Sequence, residues 1–134
     1  MKFSTKSSYG LRAIVDLAKK QEGPEPYSLA KIAKDEKISL AYLERLFAKL
    51  KKASLIKSTK GVKGGYKLAK PANKISVRDI FLALEGDLSP YNCVKLANAC
   101  KLTECDCSAK QVWNLLECEI NKTLESIKLK DLIT

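Results

Sequence analysis

Four cysteines stand within fifteen residues, in the pattern Cys93-x6-Cys100-x4-Cys105-x-Cys107. Thiolates at these separations can converge on one centre if the segment is a loop. Structural zinc sites usually pair their cysteines in C-x2–4-C knuckles, and only the Cys100–Cys105 gap approaches that spacing. Iron–sulfur clusters accept more varied spacing, so a cluster is the favoured reading. Zinc and a bare thiol redox switch are the alternatives. The plainer reading, cysteines buried as small apolar residues, suits single ones better than four in an irregular stretch. The fifth cysteine, Cys118, falls in a helical pattern and is read as packing. The chain has no histidine, so it has no Cys–His or Ser–His catalytic pair and no imidazole ligand. No P-loop or dinucleotide fingerprint is present, and an enzyme is not expected.

A second constellation lies in residues 39–68 and suits a polyanion. Leu40, Leu43, Leu46, Phe47 and Leu50 form one apolar helical stripe after a capping Ser39. Arg45, Lys49, Lys51 and Lys52 lie mostly off it. Two β-prone pieces follow, Leu55–Thr59 and Gly65–Leu68, joined by KGVKGG, whose glycines permit a tight turn. A basic helix followed by a basic hairpin outlines a winged-helix DNA reader. Ser39, Leu40, Tyr42, Glu44 and Arg45 are the expected base-reading positions. Arg45 can donate twice to guanine, and Glu44 can accept from a cytosine amine. Lys49, Lys60 and Lys63, with backbone N–H groups near Gly64 and Gly65, are expected to hold phosphates. Ser28, at the start of the preceding helix, is a further phosphate candidate.

The elements that must position these residues follow from the pattern. Ser4–Gln21 reads as a helix with Tyr9, Leu11, Ala13, Ile14, Leu17 and Ala18 inward, capped by Thr5 or Ser7. EGPEP (22–26) ends it. LAKIAKDE after Ser28 reads as a short helix, and Lys37–Ile38 as the turn of a helix-turn-helix. Ser76-Val-Arg-Asp79 matches a capping box, so a helix is expected to Glu85, burying Val77, Ile80, Phe81 and Leu84, with Gly86 ending it. Residues 87–106 look irregular. Ser108–Ser126 reads as a long helix with Val112, Trp113, Leu116, Ile120, Leu124 and Ile127 on one face. The expected fold is mainly α with a small β-hairpin wing. Residues 1–86 are the winged helix-turn-helix, 87–107 the cysteine-bearing cluster loop, and 108–134 a dimerisation helix with its tail. A second copy is the expected cover for that long face, because helix-turn-helix proteins usually read two half-sites as symmetric dimers.

The charge distribution agrees. The 134 residues carry a net charge of +10. Residues 1–74 hold 18 Lys/Arg against 6 Asp/Glu, a net +12, and residues 75–134 hold 7 against 9, a net −2. The basic excess therefore lies in the half with the helix and hairpin, which points to nucleic acid. With no secretory signal and no bilayer-length apolar run, a cytoplasmic protein without membrane attachment is expected, and structural disulfides are not.

YGLRAIVDLA (9–18), ISLAYLERLFAKLKKASLIKSTKGVKGGYKLAK (38–70), ISVRDIFLALEG (75–86) and the cysteine segment with its following W-x-x-L resemble the Rrf family of bacterial winged-helix transcription regulators. The resemblance spans nearly the whole chain and is strongest to the branch of the iron–sulfur cluster regulator IscR. It implies a homodimer with crossing C-terminal helices, a (pseudo)palindromic double-stranded operator, and a 2Fe–2S or 4Fe–4S cluster held by three cysteines. The family's third cysteine stands six residues before a tryptophan, here Cys107 and Trp113, so the first two map to Cys93 and Cys100. Glu44 matches a glutamate that sorts operators, and Lys60 takes the place of a wing arginine. The family's histidine ligand position is Lys110, and the acid some members use from the first helix is Ser8. Cys105 is a candidate fourth ligand, with Glu104, Asp106 or an external ligand as alternatives. The expected function is a repressor sensing iron–sulfur status or redox or nitrosative stress. A cluster-free regulator sensing thiol oxidation or a partner enzyme is the first alternative. An iron–sulfur or zinc carrier protein is the second.

Overall fold

The computed structural model describes residues 3–21, 23–90 and 108–133. Helix α1 spans Thr5–Lys20, α2 Leu29–Glu36, α3 Leu40–Lys52, α4 Val77–Glu85 and α5 Ser108–Ser126. Strands β1 (Ile56–Thr59) and β2 (Gly65–Leu68) form one antiparallel hairpin, with Ile56 opposite Leu68 and Thr59 opposite Gly65. The winged-helix architecture expected from the pattern is the one observed.

The apolar stripes become one core. Ala13, Ile14 and Leu17 of α1 meet Ile32 of α2, Leu43, Leu46, Phe47 and Leu50 of α3, and Ile80 and Leu84 of α4. Leu40, the first member of the α3 stripe, stays 42% exposed because it precedes the turn that dives into the core. Phe81 is half-buried and its ring lies 5.3 Å from that of Phe3.

The helix ends follow local chemistry. The cap of α1 is Ser4, whose hydroxyl accepts from Lys6 N–H, rather than Thr5 or Ser7. The hydroxyl of Ser7 is instead drawn to Glu85 on α4. Ser39 caps α3 by accepting from Tyr42 N–H. Ser76 and Asp79 form the reciprocal capping box expected at α4, and Gly86 ends that helix with a φ of +83°. The turn between α2 and α3 runs through Lys37 at φ 56°, a left-handed position more often held by glycine.

Residues beyond α5 return to this core. Leu129 is fully buried in it, and Val77 N–H donates to Ile127 O at 2.9 Å. Arg78 Nε donates to Asn121 Oδ1 at 3.0 Å and fixes α5 beside α4. One side of α5 is open, with Val112 59% and Leu115 68% exposed, while Trp113, Ile120 and Leu124 are half-buried. Cys118 is exposed too, so it does not pack within its own chain. No helix among the described residues is long and apolar enough to cross a membrane.

Candidate nucleic-acid interface

Helix α3 is held from behind by α1. The Tyr42 ring meets Tyr9 edge-on at 6.0 Å, and its hydroxyl lies 3.3 Å from Thr5 Oγ1. Arg12 stacks on the Tyr9 ring and donates to both the backbone carbonyl and the carboxylate of Glu36. The carbonyl belongs to the last residue of α2, so Arg12 braces the turn that aims α3. These roles were not visible in the sequence, where Arg12 is one exposed cation on an amphipathic helix.

With the back of α3 fixed, its start is free. Ser39, Leu40, Glu44 and Arg45 are exposed, and Tyr42 is half-buried. Among the described residues, Arg45, Lys51, Lys52, Lys57, Lys60 and Lys63 form no ion pair. The cations that are paired stand elsewhere. Lys20 bridges Asp16 and Asp35, and the hydrogen bonds its ammonium donates to Asp35 and Asp16 hold it well above the ordinary lysine range. The α3–wing surface therefore presents uncompensated positive charge, the condition for attracting a polyanion. Lys49 is the partial exception, with Nζ 3.4 Å from Leu84 O.

The wing is shaped by its glycines. Gly61 takes a φ of +109°, and Gly64 N–H donates back to Gly61 O at 2.9 Å. That amide is thus engaged within the turn rather than facing outward. A Cβ on Gly64 would overlap Thr59 O, and one on Gly65 would overlap Tyr27 O. Lys60 and Lys63 project from this turn, exposed on either side of a fully exposed Val62. Ser28 precedes α2 without making a side-chain cap bond, so its hydroxyl is uncommitted to the helix.

A family model described as Rrf2, iron-dependent transcriptional regulator, matches residues 3–134. The chain belongs to the Rrf2 family. It is 37% identical over 135 residues to the HTH-type transcriptional regulator IscR of Cereibacter sphaeroides, covering 99% of this chain and 87% of that protein. Among solved structures it resembles CymR, the global cysteine regulator of B. subtilis, at TM-score 0.80 and 36% identity, covering 99% and 96% of the two chains. It also resembles T. potens IscR at TM-score 0.78 and 37% identity, over 99% and 86%. The chain is accordingly a DNA-binding transcriptional regulator of this family and not an enzyme.

The expected cluster ligands Cys93, Cys100, Cys105 and Cys107 lie outside the described residues, as do Glu104 and Asp106. Among the described residues no group of three or more His, Cys, Asp or Glu side chains is placed to hold a metal ion. The two positions where family members find a fourth ligand carry Lys110, half-buried, and Ser8, exposed. A charged lysine is no ligand, and a serine hydroxyl is a weak one for iron. Donor chemistry of the thiolate type is thus confined to the cysteine segment and Cys118.

The end of α4 is tied to both α1 and α3. Glu85, the last residue of α4, accepts through Oε1 from Ser4 N–H at 3.1 Å, Ser4 Oγ at 2.6 Å and Ser7 Oγ at 2.7 Å. Burial alone would raise its pKa, but these hydrogen bonds and the nearby Lys6 charge outweigh it and hold the carboxyl below its ordinary range. The neighbouring Leu84 carbonyl faces Lys49 of α3.

Proposed function

We propose that this regulator is a homodimeric repressor whose cysteine segment carries an iron–sulfur cluster and whose operator is a (pseudo)palindromic duplex. The observation that carries the sensing half is the composition of residues 91–107. Four cysteines directly follow the α4 end that grips α1 through Glu85 and α3 through Lys49. Cys93, Cys100 and Cys107 are the proposed ligands, with Cys105 supplying the fourth thiolate in place of the absent histidine. Four thiolates in a short segment suit either a 2Fe–2S or a 4Fe–4S centre. When bound, such a centre supplies sensitivity to iron supply, oxidants and nitric oxide.

The remaining steps belong to the chain. Ser39, Leu40, Glu44 and Arg45 face base edges, with Tyr42 braced against α1 beside them, while Lys49, Lys60, Lys63 and Ser28 hold the phosphate backbone, the wing lysines carried on the turn that Gly64 and Gly65 shape. Rearrangement after Gly86 would pull on Leu84 and Glu85, hence on α3 and the start of α1. In a dimer joined through α5, this changes the separation of two recognition helices and so operator affinity. The exposed Val112, Leu115 and Leu116 support that use of α5.

A cluster-free regulator answering to thiol oxidation or a partner enzyme is the second reading. The fold likeness to CymR and the missing histidine favour it. One experiment separates the two. Protein purified anaerobically is examined by absorption spectroscopy with iron and sulfide assays, beside Cys93→Ala. Visible absorption that the substitution abolishes supports the cluster. A colourless, iron-free wild type that still binds its operator moves the assignment to the thiol or partner-binding regulator.

A further inference from the structure

The outer edge of the wing is held at two points. Tyr27, in the link between α1 and α2, exchanges two backbone hydrogen bonds with Tyr66 of β2, both at 2.8 Å. The Leu68 N–H, two residues further on, points to the same edge. It donates to Gln21 Oε1 at 2.7 Å. Gln21 is the residue that closes α1, its own N–H donating to the carbonyl of the fully buried Leu17. The amide of Gln21 thus takes the place of the next residue of a third strand, and it stands on a helix end anchored in the core.

We propose that Gln21 is the positioning residue that sets the angle of the wing, and with it the reach of Lys60 and Lys63 to DNA. The role rests on the reading of the wing as a phosphate or minor-groove contact. A two-stranded hairpin has little stability of its own. Leu55 and Ile56 seat the base of β1 in the core, but on the β2 edge the Tyr27–Tyr66 bridge by itself is a pivot, and a second fixed point on that edge defines its orientation. At about 3.3 Å per residue, four-residue strands put the turn ~13 Å from the base. A rotation of roughly 15° about the pivot would then move the turn by ~3 Å, the difference between a hydrogen bond and none. Gln21 touches no base and no phosphate in this scheme. It acts through β2.

The test uses the full chain and a duplex that the wild type selects from a randomised library. Gln21→Met keeps the length and loses the amide acceptor; Gln21→Glu keeps an acceptor oxygen at the same reach. Binding is followed against salt, with hydroxyl-radical footprinting for the wing and guanine-methylation protection for α3. Gln21→Met should bind ~10-fold more weakly, with a salt slope smaller by about one phosphate contact per protomer. Its wing footprint should be lost while guanine protection remains. Gln21→Glu should restore the footprint. A thermal melt identifies an unfolded variant, in which case Gln21→Asn, a methylene short of the strand, takes the place of methionine. An unchanged footprint and slope in Gln21→Met, with the wild type binding normally, overturns the role of Gln21 alone. A wild type that shows no wing footprint overturns the wing reading and this role with it.

Discussion

Leu129 N–H donates to Ile75 O at 2.8 Å, and both side chains are fully buried. The segment after the long helix is therefore part of the winged-helix core, 54 positions from its partner in sequence. Removing most of the Leu129 side chain leaves a cavity against Ile75 and its neighbours. Leu129→Ala should cost ~2–5 kcal/mol, read as a lower urea midpoint with an unchanged slope. A loss within experimental error would mean that residues 127–133 detach without consequence for the core.

The opposite holds for the open side of α5. Val112 and Leu115 are more than half exposed, so charged replacements there should leave the stability of a single chain within ~0.5 kcal/mol. If these side chains meet a second copy, Leu115→Glu should convert a dimer to a monomer in sedimentation. Operator affinity should fall by ~100-fold or more as avidity is lost. A variant that sediments as a dimer would place the subunit contact elsewhere.

Local patterns carried much of the fold to the reader of the sequence. The capping box at Ser76 and Asp79, the Ser39 cap and the glycine-rich turn each rest on neighbouring residues, and all three formed as expected. Contacts between distant residues left no local trace. Gln21 meets Leu68, Arg12 meets Glu36, and Glu85 meets Ser4 and Ser7, so each looks like an ordinary polar residue in the sequence. The long helix was legible as a helix, but its apolar face is only half-covered in one chain because periodicity does not say which molecule provides the cover. The basic surface was legible by type and not by pairing. Lys20 and Arg12 are neutralised by carboxylates, whereas Arg45, Lys60 and Lys63 are not.

Under the proposed function, that unpaired set divides into two kinds of contact. Arg45 stands on the exposed start of α3, where a guanidinium can address a guanine. Arg45→Ala should cost ~1–3 kcal/mol on a selected site and relax selectivity at one base position. Lys60 is on the wing turn, so Lys60→Ala should weaken all duplexes similarly and lower the salt slope by about one. Binding measured at several salt concentrations, on selected and random duplexes, distinguishes the two patterns. An unchanged slope would remove Lys60 from the backbone contact.

Glu85 makes a prediction in pH. Its carboxyl is held below the ordinary range in the folded chain, while in the unfolded chain it titrates in that range. The charged form is therefore favoured by folding. The stabilisation is complete above the ordinary carboxyl pKa, and it is lost as pH falls through the lower folded value. Glu85→Gln keeps the accepting oxygen and removes the charge. It should unfold at lower urea than wild type at pH 7, and the gap should close as the solution is taken below the carboxylate range. A gap that persists in acid would assign the effect to packing of the side chain rather than to its charge. Because Glu85 ends α4 where the cysteine segment begins, the same variant should also change how strongly the state of that segment alters operator affinity. Comparing binding to one duplex before and after thiol oxidation, in wild type and Glu85→Gln, measures that coupling. Equal responses in the two proteins would show that the signal travels by another route.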